Sequence, residues 1–185
     1  MKKLILYLVA ILFLTGCNDP EPRKPVSVKS GRFSKTSAER NKDLLAAEEQ
    51  LFEKIIKNDS LNTYQRSSNG YWYFYNIKAD STAYIPKEND LIKITYDLRS
   101  ITNDTIYSSK EIGVVTVKVD KEALFPGLRT GIKLMREGET VTFLFPSSLA
   151  YGYHGDSKKI GVNVPLLSTV KLMEVLEQAN DSLIN

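Results

Sequence analysis

From Gly70 onward the apolar residues recur at every second position in a series of short segments, and a chain patterned this way must pair its strands over one shared core. Residues 71–77 (YWYFYNI) are aromatic on both faces of such a strand. In residues 91–98 (LIKITYDL), Ile92, Ile94, Tyr96 and Leu98 share one face. The alternation returns at Val115, Val117 and Val119, at Val141, Phe143 and Phe145, and at Val170 and Leu172. Alternation of this kind predicts an antiparallel sheet that is hydrophobic on one face only. One helical stretch interrupts it, from Phe125-Pro126-Gly127-Leu128 to Met135, with Pro126 near the first turn, where a missing N–H costs least. Leu128, Ile132 and Met135 follow at spacings of four and three and should face the sheet. About five strands curled around one short helix make an α+β half-barrel.

The segment before Gly70 has a different period. Thr36-Ser37-Ala38-Glu39 has the form of a capping box, and helical spacing follows it. Leu44, Ala47, Leu51 and Ile55 fall on one line, flanked by Leu45, Phe52 and Ile56, and Asn58-Asp59-Ser60 ends the helix. A stripe this wide needs a partner. The chain's own C-terminal domain is the expected one, and a second copy of the helix, giving a homodimer, is the alternative. Residues 18–35 carry Pro20, Pro22, Pro25 and Gly31 among charges, with no apolar period, and read as a flexible tether.

The first residues constrain location. Met1-Lys2-Lys3 precede an unbroken apolar run of 11 residues, 4–14 (LILYLVAILFL), too short to serve as a comfortable permanent span. A positive start, a short apolar stretch and small residues at its exit are the parts of a secretory signal. The exit, Leu14-Thr15-Gly16-Cys17, resembles the lipobox of bacterial lipoproteins, which implies that Cys17 is acylated and becomes the first mature residue. Several acyl chains, at about 0.8 kcal/mol per buried methylene, anchor a protein far more firmly than one. Losing Lys2 and Lys3 with the signal takes the net charge from +3 to +1. The protein is therefore expected in the bacterial cell envelope, on a membrane and outside the cytoplasm.

Rare residues restrict the chemistry. The chain has one Cys and one His, too few for an internal disulfide or for a soft-ligand zinc site. Any His-dependent triad would have to run through His154. No Gly-rich phosphate loop and no Lys/Arg-rich block is present, so neither ATP chemistry nor nucleic-acid binding is expected. The reading calls for no cofactor and no metal.

Specific residues then carry a resemblance. Ile85-Pro86 through Tyr96, Ser108-Ser109, residues 124–128 (LFPGL), residues 131–139 (GIKLMREGE), Phe145-Pro146, Ala150-Tyr151-Gly152 and Val164-Pro165 follow in an order and spacing similar to the FKBP-type peptidyl-prolyl cis-trans isomerases. The Gly-x-x-x-Met-x-x-Gly-Glu segment with Ala-Tyr-Gly some ten residues later is the most specific part. With its lipobox, its N-terminal helix and the stretch from Tyr151 to Leu166, the chain resembles the gliding-motility-associated isomerase lipoproteins of Bacteroidetes.

The resemblance implies an FKBP-like half-barrel and a set of site residues. Tyr96, Phe125 and Tyr151 match catalytic positions: a wall tyrosine, a residue whose backbone N–H meets a substrate carbonyl, and a tyrosine whose hydroxyl does the same. Ile106, Tyr107, Val115, Leu124, Leu128, Val164 and Leu172 match the substrate-binding pocket. Two of these depart from the family pattern, since Tyr107 stands where a pocket Asp is usual and Leu128 where a Trp floors the pocket. His154 reads as a loop histidine without a catalytic part, and Asp156, Lys158 and Lys159 as a solvated loop tip.

The expected organisation is a signal peptide over 1–16, a tether over 17–35, a helix over 36–60, an isomerase domain over 70–178 and a tail over 179–185. The expected function is a membrane-anchored prolyl isomerase assisting the folding of exported proteins, with proline-containing polypeptides as substrates and a tie to gliding implied by the resemblance. A catalytically weak FKBP-like chaperone or protein-binding module is the alternative.

Overall fold

The computed structural model describes residues 30–121 and 124–177. The chain divides into two compact units, Met1–Ala38 and Glu39–Asn185. The tail over 179–185, Cys17 and the segment before residue 30 lie outside the described residues. None of the described helices is long and apolar enough to cross a membrane.

Helix α1 is Ser30–Asn58. It begins six residues before the capping box expected at Thr36, which therefore lies inside it, and it takes in the last part of the expected tether. Pro25 is the last proline before it, and Gly31, at about 1 kcal/mol, does not stop a helix. The strands follow as β1 (Gln65–Arg66), β2 (Trp72–Ile77), β3 (Leu91–Tyr96), β4 (Leu98–Arg99), β5 (Thr105–Tyr107), β6 (Val115–Lys118), β7 (Thr140–Phe145) and β8 (Leu166–Glu177), with helix α2 (Ser109–Ile112) after β5 and helix α3 (Pro126–Gly131) between β6 and β7. The sheet is antiparallel in the order β1-β2-β7-β8-β3-β6, and β4 pairs with both β5 and β8. The short β1 and β5 and helix α2 add to the elements read from the sequence. They are too brief to show a period.

The expected helix over 125–135 is α3 followed by a tighter 3₁₀ turn, Ile132–Leu134. Its inward residues Leu128, Ile132 and Met135 are fully buried, as their spacing requires. Gly127 is there because α3 lies directly on the sheet: an added Cβ would run into the Phe145 ring and the Leu149 carbonyl.

The sheet buries both faces, not one. On one side Ile92, Ile94, Val117, Val141, Phe143, Phe145, Val170 and Leu172 join Leu128, Ile132 and Met135 in the main core. On the other, Leu144 and Leu167 pack with Phe52 of α1, supported by Ile55, Tyr64, Trp72 and Ile101. The continuous apolar run Phe143-Leu144-Phe145 is the sequence trace of this double burial.

The face that α1 presents is turned from the expected line. Glu48 and Phe52 are buried and Leu44, Ile55 and Ile56 half-buried, whereas Ala47, Leu45 and Leu51 stay exposed. One residue corresponds to about 100° around a helix. Polar bonds fix this rotation: Glu48 accepts the buried Ser147 N–H at 2.9 Å, and Glu49 accepts from Trp72 Nε1 at 3.2 Å and pairs with Arg66 at 2.9 Å. Hydrophobic spacing alone contains no record of a buried glutamate.

Candidate active site

Tyr96 ends β3 where Asp97 interrupts the ladder to β8, which resumes in the same register at Arg99 and Leu167. Asp97 donates its N–H to the Thr169 carbonyl at 3.2 Å and accepts the Thr169 N–H on its carboxylate at 2.8 Å, while Ser168 Oγ donates to its carbonyl at 2.7 Å. A side chain that replaces a ladder bond interrupts the strand, and Tyr96 is the last ring before the interruption.

Tyr151 is placed by a second device. After β7 a 3₁₀ turn, Ser147–Leu149, is closed by the Leu149 and Ala150 N–H groups on the Pro146 carbonyl at 2.9 and 3.1 Å. An aromatic column supports the tyrosine: Tyr71 packs on Phe145 at 5.3 Å between centroids, Phe145 on Phe125 at 5.3 Å, and Phe125 on Tyr151 at 5.4 Å. Phe125 is the N-cap of α3, and its carbonyl accepts the Arg129 N–H at 3.1 Å. Its own N–H precedes the helix ladder.

Between these elements lies a cavity of about 270 Å3 lined by Tyr96, Leu98, Tyr107, Ile112, Tyr151, Asp156 and Lys158. Burial pushes the phenol of Tyr151 up to about 12, helped by the neighbouring Tyr96, Asp156 and Tyr107. Burial likewise raises Tyr96 above its usual range. Both hydroxyls thus remain protonated donors at every physiological pH.

Of the residues expected to build the pocket, Tyr96, Tyr107 and Tyr151 come together on the cavity wall. Ile106, Val115, Leu124 and Val164 pack, half-buried, against the main core, and Phe125 is buried within it. Leu128 and Leu172 are fully buried core residues rather than part of the wall. A leucine at 128 is too short to reach what a tryptophan would. Leu98, Ile112, Asp156 and Lys158 were not anticipated as wall residues.

The expected solvated loop tip needs the larger correction. Asp156 is half-buried, accepts from Tyr107 Oη at 2.5 Å, and on its other oxygen accepts the N–H groups of Lys158 and Ile160 at 2.8 Å each. Lys159 Nζ lies 4.5 Å from the centroid of the Tyr107 ring, donates to the Ile106 carbonyl at 3.2 Å and pairs with Glu111 at 2.6 Å. The tip is folded back onto β5 and α2. The only sequence cue was Asp156 two residues before Lys158, the spacing of a side-chain-capped turn. His154 is exposed, its ring 5.7 Å from that of Tyr153, away from the residues that line the cavity.

Comparison with known proteins bears on this geometry. Residues 83–173 match the family model described as FKBP-type peptidyl-prolyl cis-trans isomerase. This domain belongs to that family. Residues 1–18 match the prokaryotic membrane lipoprotein lipid attachment site, so a lipid anchor is indicated at Cys17. The chain is similar to the probable FKBP-type peptidyl-prolyl cis-trans isomerase FkpA of Neisseria meningitidis serogroup B, 32% identical over 101 residues. That match takes in 55% of this chain and only 37% of the relative's length. Among solved structures, FkpA from Escherichia coli superposes with a TM-score of 0.59 at 23% identity, over 97% of this chain and 83% of that one. A peptidyl-prolyl cis-trans isomerase from Pseudomonas syringae pv. tomato gives 0.59 at 19% identity, over 74% and 96%. These two likenesses establish the fold of the FKBP-type domain.

Proposed function

We propose that the chain is a lipid-anchored peptidyl-prolyl cis-trans isomerase, held at an envelope membrane through Cys17 and acting outside the cytoplasm on proline-containing segments of exported polypeptides. The observation that carries the reading is the half-buried cavity of the FKBP-type domain, in which the hydroxyl-bearing rings of Tyr96 and Tyr151 share one wall.

Rotation about an X-Pro bond faces a barrier of about 18–20 kcal/mol because the twisted amide loses its resonance, and no bond to the enzyme has to form. The twisted amide is less polar than the planar one, so an aromatic, water-poor wall favours it over the ground state. In this reading Tyr96 supplies apolar surface, and the buried Phe125 ring supports Tyr151. The Tyr151 hydroxyl and the Phe125 N–H donate to carbonyls on either side of the rotating bond, and Ile106, Val115, Leu124 and Val164 hold the walls apart. Each 1.4 kcal/mol of preference for the twisted form is tenfold in rate. Acceleration of a proline-limited refolding reaction and of cis-to-trans exchange in short proline peptides tests the reading. A chain that accelerates neither would refute it.

Tyr107 in the position of the family's pocket aspartate favours a second reading, a binding or chaperone module that grips proline-containing segments with poor turnover. Retained binding of an unfolded client without acceleration would select it. The resemblance to gliding-motility isomerase lipoproteins extends the first reading to clients in a motility apparatus. Loss of gliding on deletion, restored by the intact chain but not by Y151F, is the expected outcome.

A further inference from the structure

Asp156 and Tyr107 line the same cavity, come from positions 49 apart in the chain, and share one hydrogen bond of 2.5 Å. The loop that carries Asp156 is itself closed. Asn163 donates its N–H to the Gly152 carbonyl at 2.8 Å, and Asp156 donates its N–H to the Ile160 carbonyl at 3.1 Å. Gly155 at φ 64° makes the turn, and a Cβ there would enter the Ile160 carbonyl. The loop is thus a preformed block whose carboxylate is presented to the β5 side.

We propose that the Asp156–Tyr107 pair is a latch that sets the width of the substrate cavity, with Asp156 a positioning residue acting through Tyr107. The inference rests on the isomerase reading. The cavity's carboxylate, absent from position 107, is supplied from the loop, and the phenol in its place spans the gap to reach it. Lys159 reinforces the closure by lying over the Tyr107 ring while bonded to Glu111 and the Ile106 carbonyl. With the latch made, the cavity is walled by rings and by Leu98 and Ile112. With it broken, the loop block can swing about its ends at Gly152 and Asn163 and widen the mouth.

The charges bear this out. Burial alone would raise the Asp156 carboxyl, but the Tyr107 hydroxyl and the N–H groups of Ile160 and Lys158 outweigh it and hold the group below the usual carboxylate range. The groups facing the pair are Glu111 from α2, Tyr96 from β3, Tyr151 from the turn after β7, and Lys158 and Lys159 of its own loop. A group depressed in the folded state is an anion above its unfolded value, so the latch is fully made at neutral pH and lost only as pH falls through the folded value.

The test uses the full-length chain and its Y107F, D156N and D156A variants. Four quantities are read: kcat and KM on a proline peptide, the carboxyl titration of residue 156 by NMR in the wild type and Y107F, and the melting temperature. Y107F is expected to move the Asp156 titration up toward the ordinary range and to raise KM about threefold to tenfold with kcat and melting temperature little changed. D156A is expected to raise KM to a similar degree. D156N has one amide oxygen where the carboxylate uses one oxygen for the phenol and the other for the Lys158 and Ile160 N–H groups, so it should recover only part of what D156A loses, and Y107F/D156A should be no worse than D156A. An Asp156 titration and KM both unmoved by Y107F would overturn the latch, as would additive effects in the double variant. A wild type inactive on every proline substrate would sink the isomerase reading while leaving the titration arm to decide the latch.

Discussion

Tyr151 is the residue on which the proposed chemistry leans most, and its environment explains why a phenol suffices. Burial pushes its ionisation up to about 12 from the usual 10.0, so it is a permanent donor. Tyr151→Phe removes one donor and no packing, and is expected to cost about 1 kcal/mol, about fivefold in kcat/KM, without lowering the melting temperature. The raised value also implies that wild type, unchanged relative to Y151F below pH 10, loses stability relative to it as pH rises through about 12, which alkaline unfolding of the two would reveal. Gly155 is a second such residue. A Gly155→Ala substitution places a side chain at a left-handed φ and against the Ile160 carbonyl, a strain of about 1–3 kcal/mol confined to the loop. Faster amide exchange at Ile160, with the sheet's protection unchanged, is the expected signature.

Among the elements, α1 shows most clearly what hydrophobic spacing can and cannot convey. Its existence and its end at Asn58 are legible, and so is the need for an apolar partner. Its start and its rotation are not, because both depend on groups that carry no hydrophobic signal: Glu48 held by the Ser147 amide, and Glu49 held by Trp72 and Arg66. Phe52 is the plug of the second core, with no exposed surface. Phe52→Ala is expected to destabilise the protein by about 3–5 kcal/mol in urea unfolding. Glu48→Ala leaves a buried N–H at Ser147 unpaired and should cost about 1–3 kcal/mol. The alternation that defined β3, β6, β7 and β8 was readable because burial on a pleated face forces period two. The short β1, β5 and α2 were not, since an element that spans less than two periods has no repeat to show.

For the whole molecule, the lipid attachment match at residues 1–18 indicates an anchor at Cys17. Cys17→Ala is expected to move the protein from the membrane fraction to the soluble fraction without changing the proposed isomerase activity on a soluble peptide. Leu45 and Leu51 stay exposed on α1, 41% and 37%, and are the surface through which a second copy would pair. A sedimentation shift from dimer to monomer in a Leu45→Glu/Leu51→Glu variant is the outcome expected of such a pairing, and an unchanged monomeric wild type would exclude it. Period and motif spacing, both local quantities, were enough for the lipid attachment site and the FKBP-type fold, and they singled out Tyr96 and Tyr151, which the structure brings to one cavity. The second core beneath α1 and the bond from Tyr107 to Asp156 lay beyond reach of any local pattern. They join residues distant in the chain through side chains whose roles exist only once the sheet has brought them within hydrogen-bonding distance.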